Sequence, residues 1–109
     1  QLVEKVAFSC MQEPTFAPVL AATKRNQVLV CGIETHICVY QTAVELKAQG
    51  YEVEIVADAV SSRLPSNKEL ALNKLVSLGL GLSSTEMALF ELLQIAQGEE
   101  FKAINRIVK

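Results

Sequence analysis

Apolar and polar residues alternate in blocks along this chain, and the blocks change period as they go. Gln27-Val28-Leu29-Val30-Cys31 is a continuous apolar run after the polar Lys24-Arg25-Asn26. Such a run predicts a strand buried on both faces, as in a parallel sheet. Gly32 then ends the strand. Val39, Thr42, Ala43 and Leu46 recur at helical spacing, which predicts a helix from Thr35 or His36 to Gln49 with Gly50 as its stop. Tyr51–Ala57 carries β-branched residues at 53, 55 and 56 and predicts a second strand, followed by a loop over 58–64. A helix is expected to open at Pro65, capped by Ser66 or Asn67, and to stop at Gly79. Leu80–Ser84 predicts a short third strand. Ser84 or Thr85 then caps a helix through about Ala96, and a last amphipathic helix covers 99–108. Upstream, residues 1–8 are short and mixed, and 15–25 read as a weak helix broken by Pro18.

Strand–helix–strand–helix–strand with short connections implies right-handed βαβ units and an open parallel sheet, an α/β fold. In such sheets ligands bind beyond the carboxyl ends of the strands. The segment Gly32–Cys38 lies at one such end, and this draws attention to its thiol. A Cys near the first turn of a helix meets the partial positive charge of the helix N-terminus, which favours the thiolate over the thiol. The same turn offers backbone N–H groups that can hold a developing oxyanion. The competing reading makes Cys38 an inert buried residue on a helix face.

Composition narrows the choices. The chain has 109 residues, enough for one domain, and half of them are apolar, so a core can form. Its 10 basic and 12 acidic residues give a net charge of −2, which leaves no basic footprint for nucleic acid. No run approaches the roughly 20 apolar residues of a membrane span, and the first residues do not read as a signal peptide. Three cysteines form neither a disulfide framework nor a paired metal-ligand spacing, which suits a reducing, cytoplasmic setting. No cofactor and no metal site is expected. Cys31, inside a strand, is expected in the core, and Cys10 is read as structural. His36 is the one histidine. Two residues from Cys38 on a helix, it would point about 200° away, so a Cys–His dyad is not expected. It is read instead as a rim or packing residue.

The stretch Gly32-Ile33-Glu34-Thr35-His36-Ile37-Cys38-Val39, followed by Thr42-Ala43, Gly50-Tyr51-Glu52-Val53 and Val56-Ala57-Asp58-Ala59, resembles the isochorismatase-like hydrolase superfamily, and within it the isochorismatase domain-containing proteins. Other branches include nicotinamidases and carbamoyl-sarcosine amidohydrolases. The resemblance runs from about Val3 to Lys109 and implies a Rossmann-like three-layer α/β/α fold, of which residues 1–109 are the C-terminal portion of a single domain. Two strands, one of them central, would precede it.

The resemblance implies an Asp-Lys-Cys catalytic set. Cys38 matches the cysteine, and Lys5 matches the lysine through Lys5-Val6-Ala7-Phe8-Ser9. The Asp would lie upstream of Gln1, and Asp58 matches a position better read as structural. The resemblance further implies an oxyanion hole from the backbone N–H groups of Glu34 and Cys38, a cis peptide at Ile33–Glu34, and a substrate-pocket rim at Thr35 and His36. Isochorismatases proper commonly carry Gly where this chain has Cys38, so the thiol points to cleavage of a small amide, imide or ester through a thioester. A catalytically inactive binding or scaffold member is the alternative. Self-association into a homo-oligomer is expected from family habit and from Ala88, Leu89, Leu92, Leu93, Ile95, Phe101, Ile104 and Ile107.

Overall fold

The computed structural model describes residues 1–109. A 3₁₀ turn at Cys10–Gln12 precedes α1 (Phe16–Ala22), β1 (Gln27–Ile33), a π-type turn at Thr35–Val39, α2 (Tyr40–Ala48), β2 (Glu52–Ser61), α3 (Pro65–Ser77), β3 (Gly81–Ser83), α4 (Thr85–Leu93) and α5 (Glu99–Val108). The three strands form one parallel sheet in the order β1-β2-β3. This is the α/β architecture that the alternation of periods predicts.

β2 is the middle strand, and its alternate side chains are buried against α2 and α3. Val39, Ala43, Leu46, Val53, Ile55, Val60, Leu75 and Leu80 make up the core, with Ala43, Ile55 and Leu75 fully enclosed. Val56 projects to the other face by strand alternation and is also buried. Besides α2 and α3, the helix packed on β2 is α4. The C-termini of α2 and α3 close alike. Gly50 and Gly79 take positive φ, at +93° and +86°. Tyr51 N–H then reaches back to Leu46 O and Leu80 N–H to Leu75 O, both at 3.1 Å, so the orphan carbonyls are satisfied and the chain turns into the next strand.

Several sequence expectations are corrected. β1 is buried on neither face throughout: Leu29, Cys31 and Ile33 are exposed and alternate with half-buried neighbours. Its other edge pairs with nothing, and no helix covers that face, so a continuous apolar run ends up as a half-covered edge strand. Cys31, expected in the core, is exposed within residues 1–109. Gly32 does not end β1 but lies within it, at φ +121°, where the register with β2 shifts between Val30 and Gly32. That shift lets pairing resume at Gly32↔Val60 and Ile33↔Ser61, which carries β2 through the expected loop to Ser61. Pro18 does not break α1. It is the third helical residue, and the first four helical N–H groups have no intrahelical acceptor, so its missing donor costs nothing. Neither Ser66 nor Asn67 caps α3: Leu64 holds the cap position and Pro65 opens the helix. α4 stops at Leu93, because Gln94 turns to φ +65°. Ser84 caps it as expected, accepting a hydrogen bond from Met87 N–H at 3.1 Å.

Of the apolar residues expected to mediate self-association, Ala88 is buried and Phe101 stacks at a tilt on Phe90, with centroids 6.4 Å apart. Leu92, Ile95 and Ile107 remain exposed. No helix is long and apolar enough to cross a membrane.

Candidate active site

The carboxyl ends of the three strands lie along one edge of the sheet, and the segments that leave them are tied together by side chains. β1 runs through a cis peptide at Ile33–Glu34 into the five-residue turn Thr35–Val39. Here the expectation of a regular helix from residue 35 is corrected. Val39 N–H reaches back five residues to Glu34 O at 3.2 Å, a wider loop than an α-turn, and α2 begins only at Tyr40. Cys38 sits in this turn as a half-buried free thiol. The Glu34 N–H, between strand and turn, donates to no acceptor of the protein. Thr35 is fully buried, below the surface rather than on a rim, and its Oγ1 has no hydrogen-bond partner.

Two contacts link the turn to the β2–α3 connection. Glu34 Oε1 accepts from the Arg63 backbone N–H at 2.9 Å and from Arg63 Nε at 3.0 Å. His36 Nδ1 lies 3.0 Å from Ser62 Oγ, and Asn67 Nδ2 lies 3.4 Å from His36 Nε2. A third link joins the next pair of strands. Asp58 Oδ1 accepts from Thr85 N–H at 2.8 Å and Thr85 Oγ1 at 2.9 Å. Asp58 thus fastens the start of α4, 27 residues away, and does not cap the loop that follows it.

These links set a pH dependence. The Arg63 backbone N–H, with help from its guanidinium and against partial burial, holds the Glu34 carboxyl below its ordinary value of 4.5. The Thr85 backbone N–H, then its hydroxyl, holds Asp58 below 3.8. Both carboxyls bind protons less readily folded than unfolded. Their stabilisation is therefore complete above the ordinary values and is lost as pH falls through the lowered, folded ones. Thermal unfolding midpoints should decline below pH 4.5, and Glu34→Gln with Asp58→Asn should flatten that decline. An equally steep decline in the double variant would count against these two carboxyls.

Lys5 lies in the segment that precedes the 3₁₀ turn. It is exposed, and its Nζ donates to Ala7 O at 3.0 Å and Phe8 O at 2.9 Å. No hydrogen bond joins it to Cys38. The segment after it is anchored on α2. Buried Ser9 donates to Glu45 Oε2 at 2.8 Å, Gln12 Nε2 donates to Glu45 Oε1 at 3.0 Å, and Cys10 N–H donates to Thr42 Oγ1 at 2.9 Å. Sequence reasoning missed this anchor, and it missed the roles of Arg63, Ser62 and Asn67, because each partner lies 26 to 36 residues away from the other. No three His, Cys, Asp or Glu side chains gather as a metal ion would require.

Cavity volume points elsewhere. A groove of about 780 Å³ lies at the opposite, amino ends of the strands, between Gln27, Glu52, Gly81 and Leu92, and a smaller one of about 470 Å³ lies between Lys5, Cys10, Phe16 and Leu20. Cys38 lines neither. The larger groove is lined by no cysteine, serine or threonine, so the chemistry of the carboxyl edge is the better guide to a site.

Comparison with known proteins supports that choice. A family model described as the isochorismatase domain matches residues 1–87. Isochorismatase domain-containing protein 2 of Danio rerio is 39% identical over 104 residues, 95% of this chain and 53% of that protein. The secreted isochorismatase effector Isc1 of Phytophthora sojae is 44% identical over 86 residues, 79% of this chain and 41% of that protein. Among solved structures, the MAR1 ribonuclease of Caenorhabditis elegans superposes with a TM-score of 0.84 at 32% identity, covering 95% of this chain and 53% of that one. This chain thus spans about half the length of the relatives it matches. A family match over most of its residues, on a parallel sheet whose first strand feeds a cysteine-bearing turn, places the chain in the isochorismatase family.

Proposed function

We infer that this chain is the cysteine-bearing half of a hydrolase that cleaves a small amide, imide or ester through a thioester on Cys38. One observation carries the reading. Cys38 is a free, half-buried thiol in the turn that leaves the carboxyl end of β1, beside a Glu34 N–H that has no protein acceptor. An unsatisfied backbone donor next to a nucleophile is what a developing oxyanion requires.

The steps balance as follows. The Cys38 thiol gives up its proton to a base, and the sulfur adds to the carbonyl carbon. The carbonyl oxygen becomes an oxyanion, held by the Glu34 and Cys38 N–H groups. The C–N or C–O bond breaks, and the departing amine or alcohol takes the proton. Water then attacks the thioester, which releases the acid and restores the thiol. No residue of this chain is assigned as the base. The reading gives that role to an Asp in the half of the family domain that this chain does not span, with Lys5 stabilising the thiolate.

A non-catalytic family member is the second reading, and one observation favours it: Lys5 Nζ is engaged by its own neighbours' carbonyls. The ribonuclease activity named for the C. elegans relative does not transfer readily, since acidic residues outnumber basic ones here. Exposed Leu92, Ile95 and Ile107 support self-association as part of the proposal.

Site-resolved alkylation decides between the two readings. N-acetylcysteine added to the same reaction is the reference thiol. With iodoacetamide at pH 7, followed by peptide mass spectrometry of the protein that carries this chain, Cys38 should react about tenfold faster than N-acetylcysteine. Equal or slower modification of Cys38 would leave the non-catalytic reading standing.

A further inference from the structure

The geometry points to His36 as a positioning residue: its neutral ring, protonated at Nδ1, clamps the Cys38 turn to the β2–α3 connection. This rests on the reading of Cys38 as nucleophile and assigns a role within that site which the family match does not supply.

The ring's hydrogens follow from its neighbours. Asn67 Nδ2 lies 3.4 Å from Nε2. With the amide assigned so that its nitrogen faces the ring, that nitrogen donates and Nε2 is the acceptor. A neutral imidazole carries one hydrogen. It therefore sits on Nδ1 and is donated to Ser62 Oγ at 3.0 Å. Both ring nitrogens are committed, so His36 has no nitrogen left to offer a substrate from the rim. A protonated ring would turn a second donor against Asn67 and break that contact, so the clamp needs the neutral form.

The clamp adds polar side-chain restraint to a turn that buried Thr35 and Val39 already seat against the core. Thr35 is wholly enclosed, yet its hydroxyl has no partner. Polar side-chain restraint of the turn therefore comes from the residues on either side of Thr35. Glu34 is gripped by Arg63 N–H and Nε, and His36 is gripped by Ser62 and Asn67. All four contacts come from residues 62–67, which leave β2 at the same edge of the sheet. Glu34 supplies the proposed oxyanion donor and Cys38 the proposed nucleophile, and His36 lies midway between them. A shift of about 1 Å in such a turn is enough to lower reactivity by orders of magnitude.

His36 is the one histidine of residues 1–109, and its ¹⁵N pair in the full protein is identified as the pair that His36→Ala removes. In the full protein labelled with ¹⁵N at its imidazoles, the His36 pair at pH 8 should show a protonated Nδ1 and a bare Nε2. A protonated Nε2, or two averaged signals, would overturn the clamp. His36→Ala should then slow Cys38 alkylation about tenfold relative to N-acetylcysteine in the same reaction. His36→Gln, which restores an acceptor toward Asn67, should recover much of the rate. If His36→Ala does not fold, Asn67→Ala removes one contact only and should slow Cys38 in the same direction. Unchanged Cys38 rates in folded variants would reduce His36 to a packing residue. A Cys38 no more reactive than N-acetylcysteine in the unaltered protein would sink the hydrolase reading instead, and the ¹⁵N pair would still decide the clamp.

Discussion

Ile55→Ala should be the most damaging single change in the chain, at about 3–4 kcal/mol in urea unfolding. Ile55 has 0% exposure and occupies the middle of the middle strand, paired with Val30 on one side and Leu82 on the other. Truncating it removes three carbons from the centre of a core that also holds Val39, Ala43, Leu46 and Leu75. The strand cannot close over the void, since both of its neighbours are hydrogen-bonded to it. Leu29→Ala supplies the contrast. Leu29 is one rung away on the neighbouring strand but 48% exposed on the uncovered face, so its loss from residues 1–109 should cost less than about 1 kcal/mol. If the two variants lost similar stability, the assignment of buried and open faces would be wrong.

Glu45→Ala should cost about 2 kcal/mol and release the N-terminal segment. The Glu45 carboxylate accepts from Ser9 Oγ and from Gln12 Nε2, and Ser9 is 1% exposed. Hydrogen bonds to a charged group contribute more than neutral ones, and a buried hydroxyl left without its acceptor adds a desolvation penalty. The observable is double. The urea midpoint should fall, and limited proteolysis should begin within residues 1–13 before the sheet is touched. Glu45→Gln, which keeps one acceptor oxygen, should lose about half as much. A Glu45→Ala protein with unaltered proteolysis would show that Cys10 N–H on Thr42 Oγ1 holds the segment unaided.

Much of the fold was legible because it rests on period. The switch from continuous apolar runs to helical spacing located all three strands and the helices between them. Gly50 and Gly79 marked the helix ends because no other residue enters positive φ so readily. Exposure was harder to read, since it depends on what covers an element. The run Val28–Cys31 looks the same in sequence whether a helix lies over it or not, which is why Cys31 was misplaced. The end of β2 was hidden by Asp58-Ala59, which read as loop until the register shift opposite Gly32 carried pairing past them. The π-type turn escaped notice because one extra residue per turn barely disturbs the apolar spacing of Val39, Ala43 and Leu46. At the site, the motif around Cys38 was plain, but its supports were not. Arg63, Ser62 and Asn67 carry no local signal, and their meaning appears only when β2 delivers them beside Glu34 and His36.

The spatial order β1-β2-β3 repeats the order of the strands in the chain. Among these three, each strand can therefore pair onto the one before it as soon as its crossover helix has emerged from the ribosome. The exception is the interval before Glu52 is made. Until then Gln27–Ile33 waits for its β2 partner, and the roughly 20 residues of turn and helix that separate the two strands set how long that wait lasts.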